Sequence, residues 1–317
     1  MEMGEAVDVA VEVLEKEQDP KCDKKDEDKG WKSRVNKVNS QQPCTGTRLY
    51  DNMKADASAH EQKGLGFVPP KKAGTRWTLA LVTPEFFPIQ AHHLIPKSFL
   101  PTHRVCTWLA IKYTQNPKYG LKYDSKYDTD HADNGYCMPY ASPLSEWSGN
   151  QSKKTAVAFQ VMENVGIQLH QGSHAAVLDA KKLELLAGEP IVPEITDIAG
   201  DGDSDEDEES GIHEPGYLNK VKKLLNVVDA KSLSHVEECK PCKESKQDKK
   251  TLVLPTEGVV DLMHRVSAII KVLIDANVAH VSGYAYYYAY HKGDLEVKDG
   301  EVHVRGTKAA LKKSLTS

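Results

Sequence analysis

The sequence predicts an α+β fold on three observations. A short apolar run of strand type, residues 77–82, is closed off by Pro84 and Pro88. Apolar residues at Val259, Leu262, Met263, Val266, Ile269, Ile270 and Leu273 recur at spacings of three and four, the period of one helix face. Lys298-Asp299-Gly300-Glu301, flanked by valines, has the make-up of a hairpin turn.

Taken in chain order, residues 5–17 predict a short helix, since Val9, Val13 and Leu14 fall near one face. Residues 18–30 are charged and poor in apolar side chains, and residues up to 76 show little periodicity, so 1–76 reads as a helix plus an irregular, linker-like region. The block 77–187 holds the residues that could do chemistry. Within it, residues 175–188 read as helix because good helix formers run throughout. Segment 188–215 contains Pro190, Pro193, Pro215 and an acid run, the composition of a linker. Residues 216–317 read as a separate α+β unit: the helix over 259–273, then a stretch from Ser282 to Gly306 whose tyrosines and valines are strand formers. Tyr284, Tyr286, Tyr287, Tyr288 and Tyr290 suit a packed strand better than a base-stacking platform. The chain shows no internal repeat.

Hydrophobic residues make up 39% of the 317 and charged residues 27%, so some segments are expected to lie outside a packed core. The net charge of −5 does not by itself suggest a nucleic-acid binder. Its distribution is uneven. His60–Ala180 holds 12 Lys and Arg against 9 Asp and Glu, whereas Asp201–Ser210 holds seven acids and no base. A mildly basic block in an acidic chain fits a phosphate-binding region, and it equally fits a solvated surface. The most apolar stretch, Val266–Ala279, is broken by Lys271 and Asp275, so no membrane insertion is expected. The N-terminus is acidic where a secretory signal would be basic, which points to a cytoplasmic start; export to other cells would need a route that reads no such signal. Six sparse cysteines are expected to be reduced thiols.

Three histidine-bearing elements carry the functional reading. The first is Ala91-His92-His93-Leu94-Ile95-Pro96, with Lys97 directly after it. On a strand, neighbouring side chains face opposite sides, so one imidazole can face substrate while the other is braced or faces a metal. The second runs from Asp130-His131-Ala132-Asp133-Asn134-Gly135 to Pro139. Asn134-Gly135 is a tight-turn signal, and an Asn carboxamide here could accept a proton from an imidazole and orient the ring. An ordinary hairpin turn would leave the same trace. The third is Leu169-His170-Gln171-Gly172-Ser173-His174. On a helix the two imidazoles would share one face at a spacing that suits one cation, although Gly172 weakens a regular helix there.

Together the three elements resemble the AHH family of nucleases, of the HNH/endonuclease VII type, over roughly residues 88–182. The resemblance implies a ββα-metal core around one divalent ion. It implies His93 as the general base that activates water, and His92 as a metal ligand or phosphate-positioning residue. Asn134 would orient His93, and His170 and His174 would be metal ligands or phosphate-facing residues, His174 the more secure ligand of the two. Asp130 and Lys97 stand as substrate or support residues. The long segment between Pro96 and Asp130, and Met138 where the family usually has Leu, depart from the pattern. Proteins similar to this family are often toxins passed between bacteria and held in check by an immunity protein, so the resemblance implies such a role and such a partner. The mid-chain position of the site departs from the usual C-terminal placement.

The residue types suit phosphodiester hydrolysis. A neutral imidazole supplies a base near its working pKa, and a divalent cation supplies charge stabilisation. Imidazole ligands favour Zn²⁺ or Ni²⁺, whereas Mg²⁺ and Mn²⁺ favour oxygen, so the ion's identity stays open. The expected function is metal-dependent endonucleolytic cleavage of DNA, with RNA as the other candidate. The rival is a non-catalytic, metal-stabilised protein-binding module. His235-Val236-Glu237 and Cys239-Lys240-Pro241-Cys242 match halves of a zinc deaminase signature, but they adjoin with no room for the intervening fold, and Ser245 stands where a further cysteine would be needed. A small zinc site there would lack a fourth ligand.

Overall fold

The computed structural model describes residues 1–20, 66–68, 78–80, 86–116, 120–125, 127, 129, 131–139, 151–170, 176–179, 199–201, 213–214, 216–238 and 256–317. It is a mixed α+β structure. Helix α1 (Met3–Glu15) is followed by strands β1 (Gly66–Val68), β2 (Thr78–Ala80) and β3 (Phe86–His93). Short helices α2 (Phe99–Thr102) and α3 (Arg104–Leu109) lead to the pair β4 (Ala110–Asn116) and β5 (Gly120–Ser125). A 3₁₀ turn, Ala132–Asn134, opens into β6 (Gly135–Pro139), and helix α4 (Gln151–Val165) follows. Strands β7 (Ala176–Asp179), β8 (Ala199–Asp201) and β9 (His213–Glu214) come next. Helices α5 (Tyr217–Glu238), α6 (Thr256–Asp275) and α7 (Gly283–His291) precede the hairpin β10 (Leu295–Lys298)–β11 (Glu301–Val304), and α8 (Lys308–Thr316) closes the chain.

The sheet that carries the site has the order β1-β2-β3-β6, antiparallel throughout. Strand β3 changes partner along its length: Phe86–Pro88 pairs with β2, and Ile89–His93 pairs with β6. The change falls at Pro88, which has no N–H to give to a ladder. Past β6, α4 ends at Gly166, whose φ of +69° and N–H to the Met162 carbonyl (2.8 Å) make a left-handed cap that glycine adopts without strain.

The core does not divide where the sequence suggests. One cluster of buried residues runs from Met3 and Leu14 on α1, through Leu94, Tyr136 and Met162, to Val266, Leu273 and Leu315. The α1 helix and residues 216–317 therefore share a core with the histidine-bearing block. The reason is non-local pairing of amphipathic faces. The seven apolar positions of the expected helix are all buried on α6, worth on the order of 10–20 kcal/mol of transfer free energy together. Polar cross-ties act with them. Lys220 on α5 is buried, and its Nζ donates to the Val278 carbonyl (2.7 Å) and reaches Met3 Sδ (3.0 Å) and the Tyr286 hydroxyl (3.3 Å). Arg104 on α3 grips Asp229 on α5 through Nε (2.9 and 3.0 Å) and through its second guanidinium nitrogen. Beside this pair, burial and then the Asp229 charge push the Cys106 thiol up to about 12, which keeps it a neutral packing group.

Two local expectations are corrected. The tyrosine-rich stretch expected as strand is helix α7. Its start is capped by Ser282, whose hydroxyl accepts from the Ala285 N–H (3.4 Å), and Tyr287 and Tyr288 pack their rings on Phe159 of α4 (5.2 and 5.3 Å). Packing between helices has overridden the β preference of tyrosine. Conversely, Ala176–Asp179, expected as helix, is a strand paired with both β8 and β9, and these two strands lie within the segment expected to be linker. The remainder of that expected helix lies outside the described residues. The hairpin turn is as expected: Lys298 pairs with Glu301 across Asp299 (φ 54°) and Gly300 (φ 82°), a turn that needs two left-handed residues.

Candidate functional site

His92 and His93 end β3, in register with Tyr136 and Gly135 of β6. Alternation sends them to opposite faces. His92 is buried, and His93 is half-buried opposite a glycine, so its cross-strand neighbour has no side chain. Lys97 is half-buried in the turn that follows.

His92 lies against Tyr217, the first residue of α5: its Nε2 is 3.0 Å from the Tyr217 hydroxyl. That hydroxyl donates its single hydrogen to the Leu94 carbonyl, at 2.6 Å. Toward His92 it therefore acts as acceptor, which makes Nε2 the protonated nitrogen and leaves the lone pair of the neutral ring on Nδ1. Burial holds the Tyr217 phenol well above its ordinary pKa, so the hydrogen stays on the oxygen.

His170 joins this group. Its ring packs edge-on to His92, with centroids 5.0 Å apart. Two anchors bring it there. The His170 N–H donates to the carbonyl of Pro139 at the end of β6 (2.9 Å). The Gln168 carboxamide donates to the carbonyls of Ile274 (3.1 Å) and Ala279 (2.9 Å) and accepts from the Val281 N–H (3.1 Å). His170 sits on irregular chain past α4, and the expected spacing to His174 runs outside the described residues. His174 and Asp130 lie outside the described residues, as do Cys239 and Cys242.

Asn134 differs from its expected role. The carboxamide is buried, and its hydrogen-bonding positions are filled. Its oxygen accepts from the Ile95 N–H (2.8 Å) and the Ser267 hydroxyl (2.9 Å); its nitrogen donates to the carbonyls of Ile95 (3.1 Å) and Thr129 (2.9 Å). It does not accept from the His93 ring. Its own carbonyl takes the Leu94 N–H (2.9 Å), so Asn134 fixes the backbone directly after His93 instead.

Beside Asn134 lies a second constellation. His131 directly precedes the 3₁₀ turn, Asp133 lies within it, and His264 comes from α6, one helical turn before Ser267. One ligand atom from each lies within 4.8 Å of the other two, so the three could hold a metal ion. The two imidazole rings meet edge-on at 4.5 Å.

The sequence did not single out Tyr217, His131, Asp133 or His264 for a role. His131 and Asp133 stood inside the second element without one. Tyr217 and His264 carry no local signal, since only the tertiary packing of α5 and α6 brings them to the site. Among the described residues the group of three that could hold a metal ion is His131, Asp133 and His264; His92 and His170 bring two imidazoles into contact, and His174, the further ligand expected with them, lies outside the described residues. Searches of family models, curated proteins and solved structures each found no match to this chain.

Proposed function

We propose that the chain is a metal-dependent endonuclease that hydrolyses phosphodiester bonds, with DNA as the favoured substrate. The supporting observation is the convergence of His92 and His170, from distant parts of the sequence, into ring contact beside His93. The antiparallel pair β3–β6 followed by α4 agrees with a ββα-metal core. In this reading His93 takes the proton from the attacking water. Asn134 keeps the backbone after His93 from shifting, and Tyr217 holds the ring of His92. His92 and His170 would hold the ion, with His174 the third ligand implied by the motif. When bound, a divalent ion supplies positive charge to the phosphate and to the departing oxygen. Lys97, just after the strand end, would serve as a phosphate contact.

The test is nicking of supercoiled plasmid by the full chain, after chelation and after return of Mg²⁺, Mn²⁺, Zn²⁺ or Ni²⁺, with an RNA substrate in parallel. Cutting restored by metal, and lowered at least about 100-fold by His93→Ala at unchanged metal content, is the expected result. Metal bound with no cutting of DNA or RNA would overturn it in favour of a binding module. An antibacterial role predicts growth arrest with DNA loss on expression of the intact chain but not of His93→Ala.

A further inference from the structure

We propose that His131, Asp133 and His264 form a second divalent-metal site, of the zinc class, that clamps the turn before β6 to helix α6. It is separate from the His92–His170 pair and does not depend on the nuclease reading.

The spacing carries the argument. Donors bound to one tetrahedral ion at ~2.1 Å stand roughly 3.4 Å from each other. Asp133 Oδ2 is 3.3 Å from His131 Nδ1 and 3.4 Å from His264 Nδ1. A protonated imidazole bonded to a carboxylate would instead sit at about 2.7–2.9 Å. The two contacts are thus long for ion pairs and match two of the three edges that these donors would span around one ion, and the third, between the imidazoles, is within 4.8 Å.

The state of His131 points the same way. Its Nδ1 accepts from the Asp133 N–H at 3.2 Å, so that nitrogen is unprotonated, and an ion would take its lone pair in exchange for this N–H. Two neutral imidazoles and one carboxylate are a donor set for a first-row transition ion, and they leave a fourth position for water.

The site is also held in place and open to entry. The Asn134–Ser267 hydrogen bond (2.9 Å) ties the two contributing elements together next to the ligands. Both imidazoles are largely buried, whereas the Asp133 side chain is 52% exposed and gives an ion a way in.

The experiment uses the full chain, dialysed against Zn²⁺, with bound zinc measured by elemental analysis and melting followed with and without the ion. His264→Gln should bind one equivalent fewer than wild type. Asp133→Asn, an exposed and near-isosteric change that keeps the fold, should weaken zinc binding at least tenfold and abolish the zinc-dependent rise in Tm. Unchanged stoichiometry and unchanged Tm response in both variants would overturn the proposal, as would a wild-type chain that binds no zinc. His92→Ala separates the two sites. One ion lost in His92→Ala but none in His264→Gln would sink this second site and leave the nuclease reading standing. Loss in His264→Gln alone would uphold the second site and remove the metal from His92.

Discussion

The hydroxyl of Tyr217 sets the tautomer of His92. Because its hydrogen goes to the Leu94 carbonyl, the hydroxyl can only accept from the imidazole, and the ring is left with its lone pair on Nδ1. Tyr217→Phe keeps the packing and removes the acceptor. The buried Nε2–H then loses that partner, and the neutral ring gains access to its other tautomer. In ¹⁵N NMR of the wild-type chain, the His92 signals should show the Nε2–H form, and the variant should show a mixture. Zinc affinity at His92 should fall about 10–100-fold, the usual effect of removing the group that orients a ligating histidine. An Nδ1–H ring in the wild type, or identical spectra and affinity in the variant, would remove Tyr217 from the site. The same residue marks the limit of legibility at this scale. His92, His93 and Asn134 could be named from their motif because they lie in two short stretches that declare themselves as a strand end and a turn. Tyr217 opens a helix 125 positions from His92, and its part in the site exists only because α5 packs against the end of β3.

Between elements, the join of β3 and β6 depends on one carboxamide. Asn134 takes the Ile95 N–H and gives to the Ile95 carbonyl, and so closes the ladder one step beyond His93. It also ties that corner to α6 through Ser267. Replacing it with Ala removes four buried hydrogen bonds at once. At about 1 kcal/mol each, more where a buried group is stranded, Asn134→Ala should cost about 3–5 kcal/mol. Urea unfolding would show this as a lower midpoint at unchanged slope. A loss under 1 kcal/mol would mean that water replaces the carboxamide at little cost. Elements with a one-sided apolar pattern were legible in the sequence. α1 and α6 declare themselves by period, and the β10–β11 hairpin by Asp299-Gly300. Those decided by partners were not. α7 is a helix in spite of its tyrosines because Ser282 caps it and Phe159 receives two of the rings. β7 is a strand in spite of its helix-forming neighbours because β8 and β9 flank it.

Over the whole molecule, the helices after residue 216 act as the other half of the site's foundation, which the sequence reads as a separate unit. Tyr136 of β6 donates to Asp275 on α6 (2.6 Å), and Gln168 is held wholly by the chain around the end of α6. Phe159 of α4 is covered by α7, and His92 is braced from α5. A fragment of residues 77–187 would lose all of these ties and would expose the apolar residues Tyr136, Met138, Val161 and Leu169, each now buried in the common core. The transfer free energy given up, at roughly 1.5–3 kcal/mol per large side chain, is of the same order as the 5–15 kcal/mol by which domains are stable. The fragment is therefore expected to show no cooperative thermal transition by circular dichroism and to cut nothing, while the full chain melts in one step. A fragment that melts cooperatively and cuts at the full chain's rate would restore the two-unit description. In that event Tyr217 and α6 would be neighbours of the site and not its supports, since β3, β6 and α4 would then hold the histidines in place unaided.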